Sequence, residues 1–150
     1  MHLNLKNTSK TQRRLIREAA SITSQAQAKR LGWRFIGRGA FKVAYKKGSV
    51  VLKFAHGMRN DSEEHVETEA DFYSVCRKND KKYLARIYGS DHRRIIQQFI
   101  PLKPKGHSDK DNTKILRVAK RLMIDDVLGG HNATIYRGIP KIFDYGLAYG

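Results

Sequence analysis

Two glycines and one lysine in the first third of the chain are the residues best suited to bind a phosphate group. Gly37 and Gly39 lie between two apolar runs, a pattern typical of a β-hairpin. Glycine has no Cβ and adopts positive φ at little cost, so its backbone N–H groups can approach an anion closely. Lys53 interrupts the apolar run VVLKFA, and a buried ammonium group requires an anionic partner. These residues predict a phosphate-binding site.

A second pair of polar residues flanks a short hairpin near the end of the sequence. Asn132 precedes one apolar run, Asp144 follows the next, and Arg137-Gly138 separates the two runs as a turn. A hairpin of this kind places Asn132 and Asp144 side by side. Two oxygen ligands beside a phosphate are what a hard cation such as Mg²⁺ prefers. The sequence therefore predicts a magnesium site.

The order of these motifs resembles that of the protein-kinase superfamily. The segments G-x-G-x-F-x-x-A-Y and V-V-L-K-F are similar to its glycine-rich loop and third-strand lysine, although Lys42 replaces the third glycine. Asp144-Tyr145-Gly146 resembles the D-F-G motif, and Asn132 resembles the asparagine of the catalytic loop. The resemblance covers residues 33–148. It implies a kinase that transfers a phosphoryl group from ATP, with Mg²⁺, to a Ser, Thr or Tyr hydroxyl of a protein or to a small hydroxyl-bearing substrate.

The same resemblance implies a role for each site residue. Lys53 would hold the phosphates, and Asn132 and Asp144 would hold the metal ion. The segment 98–100 would be the hinge that offers backbone hydrogen bonds to adenine. The residues implied in nucleotide binding are Gly37, Gly39, Phe41, Ala44, Lys53, Gln98 and Ile100.

An acidic helix is predicted for residues 61–78, and in kinase-like chains this helix provides a carboxylate for the strand lysine. Glu67 and Glu69 lie about 200° apart on a helical wheel, so only one can face that lysine. We expect Glu69, because it precedes the apolar pair Phe72-Tyr73 by three and four residues. Glu67 is the alternative.

The catalytic loop departs from the family pattern. The family has its base five residues before the asparagine, where this chain has Val127. One extra loop residue, which Gly129-Gly130 would allow, makes Asp126 the expected base before Asn132. His131 is the second candidate.

The composition fits one domain, because 150 residues with 40% hydrophobic side chains can form a compact core. We expect an α+β, protein-kinase-like two-lobed fold, with an antiparallel-sheet N-lobe containing one helix and a strongly reduced helical C-lobe. The chain ends four residues after Gly146, and in this it is similar to compact kinases of the bacteriophage type. The expected parts are a basic helical N-terminal extension (1–32), the N-lobe (33–100), a linker (101–107) and a minimal C-lobe (108–150).

The expected helix of the C-lobe has the clearest periodicity in the sequence. Ser108 or Asp109 is predicted to cap it. Its predicted apolar stripe consists of Ile115, Val118, Ala119 and Leu122, widened by Leu116 and Met123.

Charge suggests a competing hypothesis. The chain has 30 Lys and Arg against 14 Asp and Glu, a formal net charge of +16, and such a field attracts polyanions. The protein would then be a pseudokinase-like binding module that docks an acidic protein or a nucleic acid without catalysis. Its working surface would be the basic N-terminal helix and the Lys/Arg-rich helix 109–123.

Cysteine content and hydropathy limit the remaining possibilities. Cys76 is the single cysteine, so a disulfide framework and a multi-cysteine zinc site are excluded. The N-terminal segment resembles no signal peptide, and no apolar run is long enough to span a membrane. We expect a cytoplasmic location, the host cytoplasm if the origin is a bacteriophage, and no membrane partner.

Overall fold

The computed structural model describes residues 1–57, 61–103, 105–125 and 132–144, which form helices and antiparallel strands. Helices and strands are interspersed along the chain. The helices are α1 (Lys10–Ser21), α2 (Gln25–Arg30), α3 (Ser62–Val75) and α4 (Asp109–Leu122). The strands are β1 (Arg34–Arg38), β2 (Lys42–Lys47), β3 (Val50–Ala55), β4 (Ile87–Ser90), β5 (Arg94–Gln98), β6 (Ala133–Tyr136) and β7 (Ile139–Ile142), and Lys81–Tyr83 forms a short 3-10 helix.

The chain divides into two compact units. The first consists of Met1–Glu67 and Arg86–Phe99, and the second of Thr68–Ala85 and Ile100–Gly150. Helix α3 begins in the first unit and ends in the second. The lobe and linker boundaries expected from the sequence stay predictions.

The first unit contains a five-stranded antiparallel sheet in the order β1-β2-β3-β5-β4. The predicted hairpin around Gly37 and Gly39 is confirmed as the β1–β2 pair. Strand β3 lies at the centre, and all six of its residues are buried. A central strand covered on both faces explains why its sequence is almost wholly apolar.

Helix α1 is part of the core of the first unit. Leu15, Ile16 and Ala19 are buried in one cluster with the sheet residues Tyr45 and Leu52. Tyr45 and Leu52 are cross-strand partners, so they point to the same face of the sheet. The N-terminal helix therefore covers one sheet face, and its exposed arginines, Arg14 and Arg17, lie on its outer side.

A carboxylate on α1 joins the helix to the sheet. Glu18 Oε1 accepts hydrogen bonds from Trp33 Nε1 at 2.8 Å and from Lys47 Nζ at 2.7 Å. The hydrogen bond from Lys47 holds the pKa of Glu18 below its ordinary value of 4.5. The ion pair is about one-third exposed, so solvent reduces its contribution to stability.

We expect Glu18→Gln to destabilise the protein by about 1 kcal/mol at neutral pH and by nothing at strongly acidic pH. The pKa of Glu18 is lower in the folded chain than in the unfolded chain, so its contribution is complete above the ordinary value. That contribution is lost as the pH falls below 4.5. Urea denaturation followed by circular dichroism at pH 7 and at about pH 2 measures the difference. Glu63→Gln is the matched control, because Glu63 and Arg93 form an exposed pair. Equal stability of Glu18→Gln and the wild type at pH 7 would contradict the prediction.

Helix α4 forms as its sequence predicts. The Ser108 side chain accepts a hydrogen bond from Asp111 N, and the Asp111 side chain accepts one from Ser108 N, which is a capping box. The predicted stripe of Ile115, Val118, Ala119 and Leu122 is buried. The predicted widening is wrong, because Leu116 is 49% and Met123 is 60% exposed. Packing of α4 against β6 and β7 covers only a narrow face of the helix.

The predicted hairpin of the second unit is confirmed as β6–β7. Its turn residues, Arg137 and Gly138, have φ angles of 52° and 78°, as a tight turn of the primed type requires. The chain segment before β4 also joins this hairpin. Ala85 N donates to Ile142 O at 2.8 Å, and Leu84 forms a parallel bridge with Ile142.

Hydropathy of the helices gives one further finding. In the part of the chain that the structure describes, no helix combines the length and the apolar character needed to cross a lipid bilayer.

Candidate functional site

Three of the residues implied in nucleotide binding form a row across the sheet of the first unit. Gly37 on β1 pairs with Ala44 on β2, and Ala44 pairs with Lys53 on β3. Cross-strand partners point to the same face, so Ala44 and Lys53 share a face. Their chain neighbours Tyr45 and Leu52 point to the opposite face, which α1 covers. The row therefore lies on the sheet face opposite α1.

Lys53 is buried, with 6% of its surface exposed, as its apolar strand predicts. A second buried lysine lies on the same sheet face. Lys42 is 7% exposed and pairs with Ala55, two residues along β3 from Lys53. Two buried ammonium groups on one face require negative charge near them. Lys42 was predicted from the sequence only to replace the third glycine of the loop, although strand alternation with Ala44 places it on this face.

The glycines of the β1–β2 turn are not required by their backbone conformation. Neither Gly37 nor Gly39 has positive φ. A Cβ on Gly37 would have no heavy atom of the described residues within 4 Å, and a Cβ on Gly39 would lie 3.9 Å from Lys42 O. Packing does not require glycine there either. The predicted close approach of a ligand to the backbone at both glycines stays a prediction.

Contacts inside the first unit hold the turn in place. Gly39 N donates to Lys42 O at 2.8 Å, and the His56 ring lies 3.2 Å from Gly39 O. The ring of Phe41 stacks on His65 of α3, with 4.1 Å between the centroids. The turn is thus held by residues that follow β3 in the chain.

In the expected hinge at the end of β5, two backbone N–H groups already donate hydrogen bonds within the protein. Gln98 N donates to Arg86 O at 2.8 Å, and Phe99 N donates to Ser49 O at 3.0 Å. These two N–H groups are therefore not available to adenine. Ile100 is buried, with 5% of its surface exposed.

Gln97 is a polar residue that the sequence reasoning missed. It is 1% exposed, and its side-chain Nε2 has no hydrogen-bond partner among the described residues. It pairs with Val51, two residues along β3 from Lys53, so it lies on the same sheet face as Lys53. Since a buried amide without a partner is costly, Gln97 is a candidate ligand-binding group. Alternation along β5 is the signal that could have identified it.

Helix α3 buries one of the two candidate glutamates. Glu69 is fully buried, whereas Glu67 is exposed. Burial of a carboxylate is costly unless it is paired or hydrogen-bonded, so Glu69 is the one suited to an ion pair. Its pairing with Lys53 stays a prediction.

Asn132 and Asp144 lie side by side at the open end of the β6–β7 hairpin. Asn132 O accepts hydrogen bonds from Phe143 N at 2.9 Å and from Asp144 N at 3.4 Å. Both residues are half-buried. The described residues contain no cluster of three or more His, Cys, Asp or Glu side chains suited to a metal ion. Asp126 and His131, the candidate bases, lie outside the described residues.

Comparison with known proteins identifies the fold. No protein-family model and no curated protein matches the chain. Among solved structures, the chain is similar to WbdD in a co-crystal with the kinase inhibitor LY294002, with a TM-score of 0.56 and 15% identity over 77% of this chain and 33% of that chain. It also matches the Legionella pneumophila Lpg2603 kinase bound to IP6, with a TM-score of 0.48 and 14% identity over 78% and 50% of the two chains. The chain thus spans a third to a half of these proteins. The α+β, protein-kinase-like fold predicted from the sequence is confirmed by the likeness to WbdD.

Proposed function

We propose that the protein is an ATP- and Mg²⁺-dependent phosphotransferase. The observation that carries the proposal is the row of Gly37, Ala44 and Lys53 on one sheet face, with Lys53 buried. In this proposal, Lys53 and the backbone N–H groups of the β1–β2 turn bind the phosphates. Phe41, Ala44, Gln98 and Ile100 contact the rest of the nucleotide.

Asn132 and Asp144 are proposed to hold Mg²⁺. Their amide and carboxylate oxygens are the donors that this cation prefers, and their backbones are joined by a hydrogen bond. Magnesium takes its remaining ligands from phosphates and water, so a site with two protein side chains fits it. When bound, the cation neutralises negative charge on the transferred phosphoryl group. The chain itself would contribute two side-chain oxygens as ligands, one from Asn132 and one from Asp144.

The acceptor is proposed to be a hydroxyl group, on a Ser, Thr or Tyr of a protein or on a small molecule. Asp126 would accept the proton of that hydroxyl, with His131 as the alternative. Catalysis of this reaction depends mostly on positioning and electrostatics, so a shifted base is compatible with activity. The resemblance of this protein to compact kinases of the bacteriophage type stays a prediction.

Two measurements test the proposal. Calorimetric titration with MgATP detects binding, and radiolabelled ATP with protein extracts and small hydroxylated acceptors detects transfer. We expect both. Absence of binding at millimolar MgATP would contradict the proposal. Binding without transfer would instead favour the non-catalytic alternative, in which the basic surface docks a partner.

We expect Glu69→Gln to reduce phosphoryl transfer at least about tenfold and Glu67→Gln to leave it unchanged. Only Glu69 is buried, and the proposal assigns it to orienting Lys53. The two variants make the same chemical change on one helix, so each controls for the other. Initial rates of the radiolabel assay at saturating and at low ATP measure the effect. Equal rates for the two variants would contradict the role of Glu69.

A further inference from the structure

A basic surface in the second unit has no part in the proposed reaction. It combines residues 114–122 of α4 with the segment 77–82, and all of its cations except Lys81 are exposed. We call it the α4 basic surface. Its members are Arg77, Lys78, Lys81 and Lys82 in the segment, and Lys114, Arg117, Lys120 and Arg121 on α4.

An ion pair joins the two parts of this surface. Arg121 Nη2 lies 2.9 Å from Asp80 Oδ1, and the Arg121 side chain stays 62% exposed. Asp80 is the only acid in either part, since residues 77–82 and 114–122 contain no other Asp or Glu. Eight cations against one carboxylate leave this surface strongly positive. Such a field attracts a polyanion.

The charge pattern of α4 is explained only in part by the stability of the helix, because Lys120 and Arg121 in the last turn interact favourably with the helix dipole, whereas Lys114 and Arg117 lie outside that turn. Lys114, Arg117 and Arg121 follow one another at spacings of three and four residues, where like charges repel. Lys114, Arg117 and Lys120 have no carboxylate partner among the described residues. The helix is stabilised instead by its capping box and its buried stripe. Neither the cap nor the stripe requires Lys114 and Arg117, whose exposed charges are available to an anionic ligand.

Spacing and neighbouring aromatic rings favour a nucleic acid as that ligand. At about 1.5 Å rise per residue, Lys114, Arg117 and Arg121 form a row about 10 Å long, which suits the repeating phosphates of a strand. Lys81 Nζ lies 4.8 Å from the ring centre of Tyr73, and Lys82 Nζ lies 5.0 Å from that of Tyr83. Proteins that bind single strands combine a basic groove with aromatic rings on which bases stack, and Tyr73 and Tyr83 are half-buried rings among the cations of this surface.

We propose that the α4 basic surface binds the phosphate backbone of a single-stranded nucleic acid without reading its sequence. The proposal stands independently of phosphoryl transfer. It predicts that affinity depends on salt and on the cations of this surface, and not on MgATP.

The test is fluorescence anisotropy with a labelled 20-nucleotide single strand of mixed sequence, titrated with the full chain at several salt concentrations. We expect Arg117→Glu/Lys120→Glu to lose at least about tenfold in affinity and to make the slope of log K against log salt shallower by about one to two. Arg14→Glu/Arg17→Glu removes the same charge from the exposed side of α1 and should lose less than about threefold. Circular dichroism verifies folding, and Arg77→Glu/Lys78→Glu replaces the α4 variant if that variant is unfolded.

Three results would overturn the proposal. The wild type could fail to bind the strand at about 50 mM salt. The α1 and α4 variants could lose affinity equally, which would make total charge the cause. Polyglutamate could displace the labelled strand as effectively as an unlabelled strand of the same charge does, which would assign the surface to an acidic protein.

Discussion

Replacement of Asp144 by Asn is expected to reduce phosphoryl transfer at least about a hundredfold. The substitution keeps the size of the side chain and removes the negative charge proposed to hold Mg²⁺. The backbone hydrogen bond from Asp144 N to Asn132 O does not depend on the side chain, so the hairpin should persist. Initial rates with radiolabelled ATP measure the effect. In addition, chelation of Mg²⁺ should weaken ATP binding by the wild type but not by the variant.

Asp71→Asn is the matched control for that experiment. Asp71 lies exposed on α3, so the same chemical change should leave transfer and Mg²⁺ dependence unaltered. A rate for Asp144→Asn within about threefold of the wild-type rate would contradict the metal-binding role.

Lys53→Met is expected to weaken MgATP binding by about tenfold to a hundredfold, since hydrogen bonds to charged groups contribute about 1.5–3 kcal/mol. Methionine keeps the aliphatic part of the buried side chain and removes the ammonium group. Calorimetric titration measures the affinity, and a thermal melt without nucleotide verifies that the variant is folded. Lys29→Met, on the exposed side of α2, is the control and should bind as the wild type does. Equal affinity of Lys53→Met and the wild type would rule out a phosphate-binding role for Lys53.

Local patterns in the sequence were enough to predict several elements. The stripe and the capping box of α4 depend on residues within about four positions of one another, so periodicity and cap chemistry predict them. The β6–β7 hairpin depends on a two-residue turn, which Arg137-Gly138 indicates. Because the turn fixes the register, the adjacency of Asn132 and Asp144 also followed from the sequence. The order of the motifs predicted the kinase-like fold in the same way.

Other features depend on long-range packing. The helical wheel shows that Glu67 and Glu69 point apart, and the sequence favoured Glu69, but the complete burial of its carboxylate depends on packing in the folded chain. The sheet register determines that Lys42 and Gln97 share the face of Lys53. Alternation indicates which residues of one strand share a face, but only the pairing between strands brings the faces of β2, β3 and β5 together.

The sequence by itself therefore determined several secondary-structure elements, the order of the motifs and the residue types available for phosphate and metal binding. The tertiary structure alone decided that α1 closes one sheet face, because its apolar stripe could have packed on any apolar surface. It also decided that Leu116 stays exposed, because the width of a buried stripe is set by what the helix packs against. Burial requires two elements to pack against each other. The apolar pattern of one element indicates only which of its sides is suited to burial.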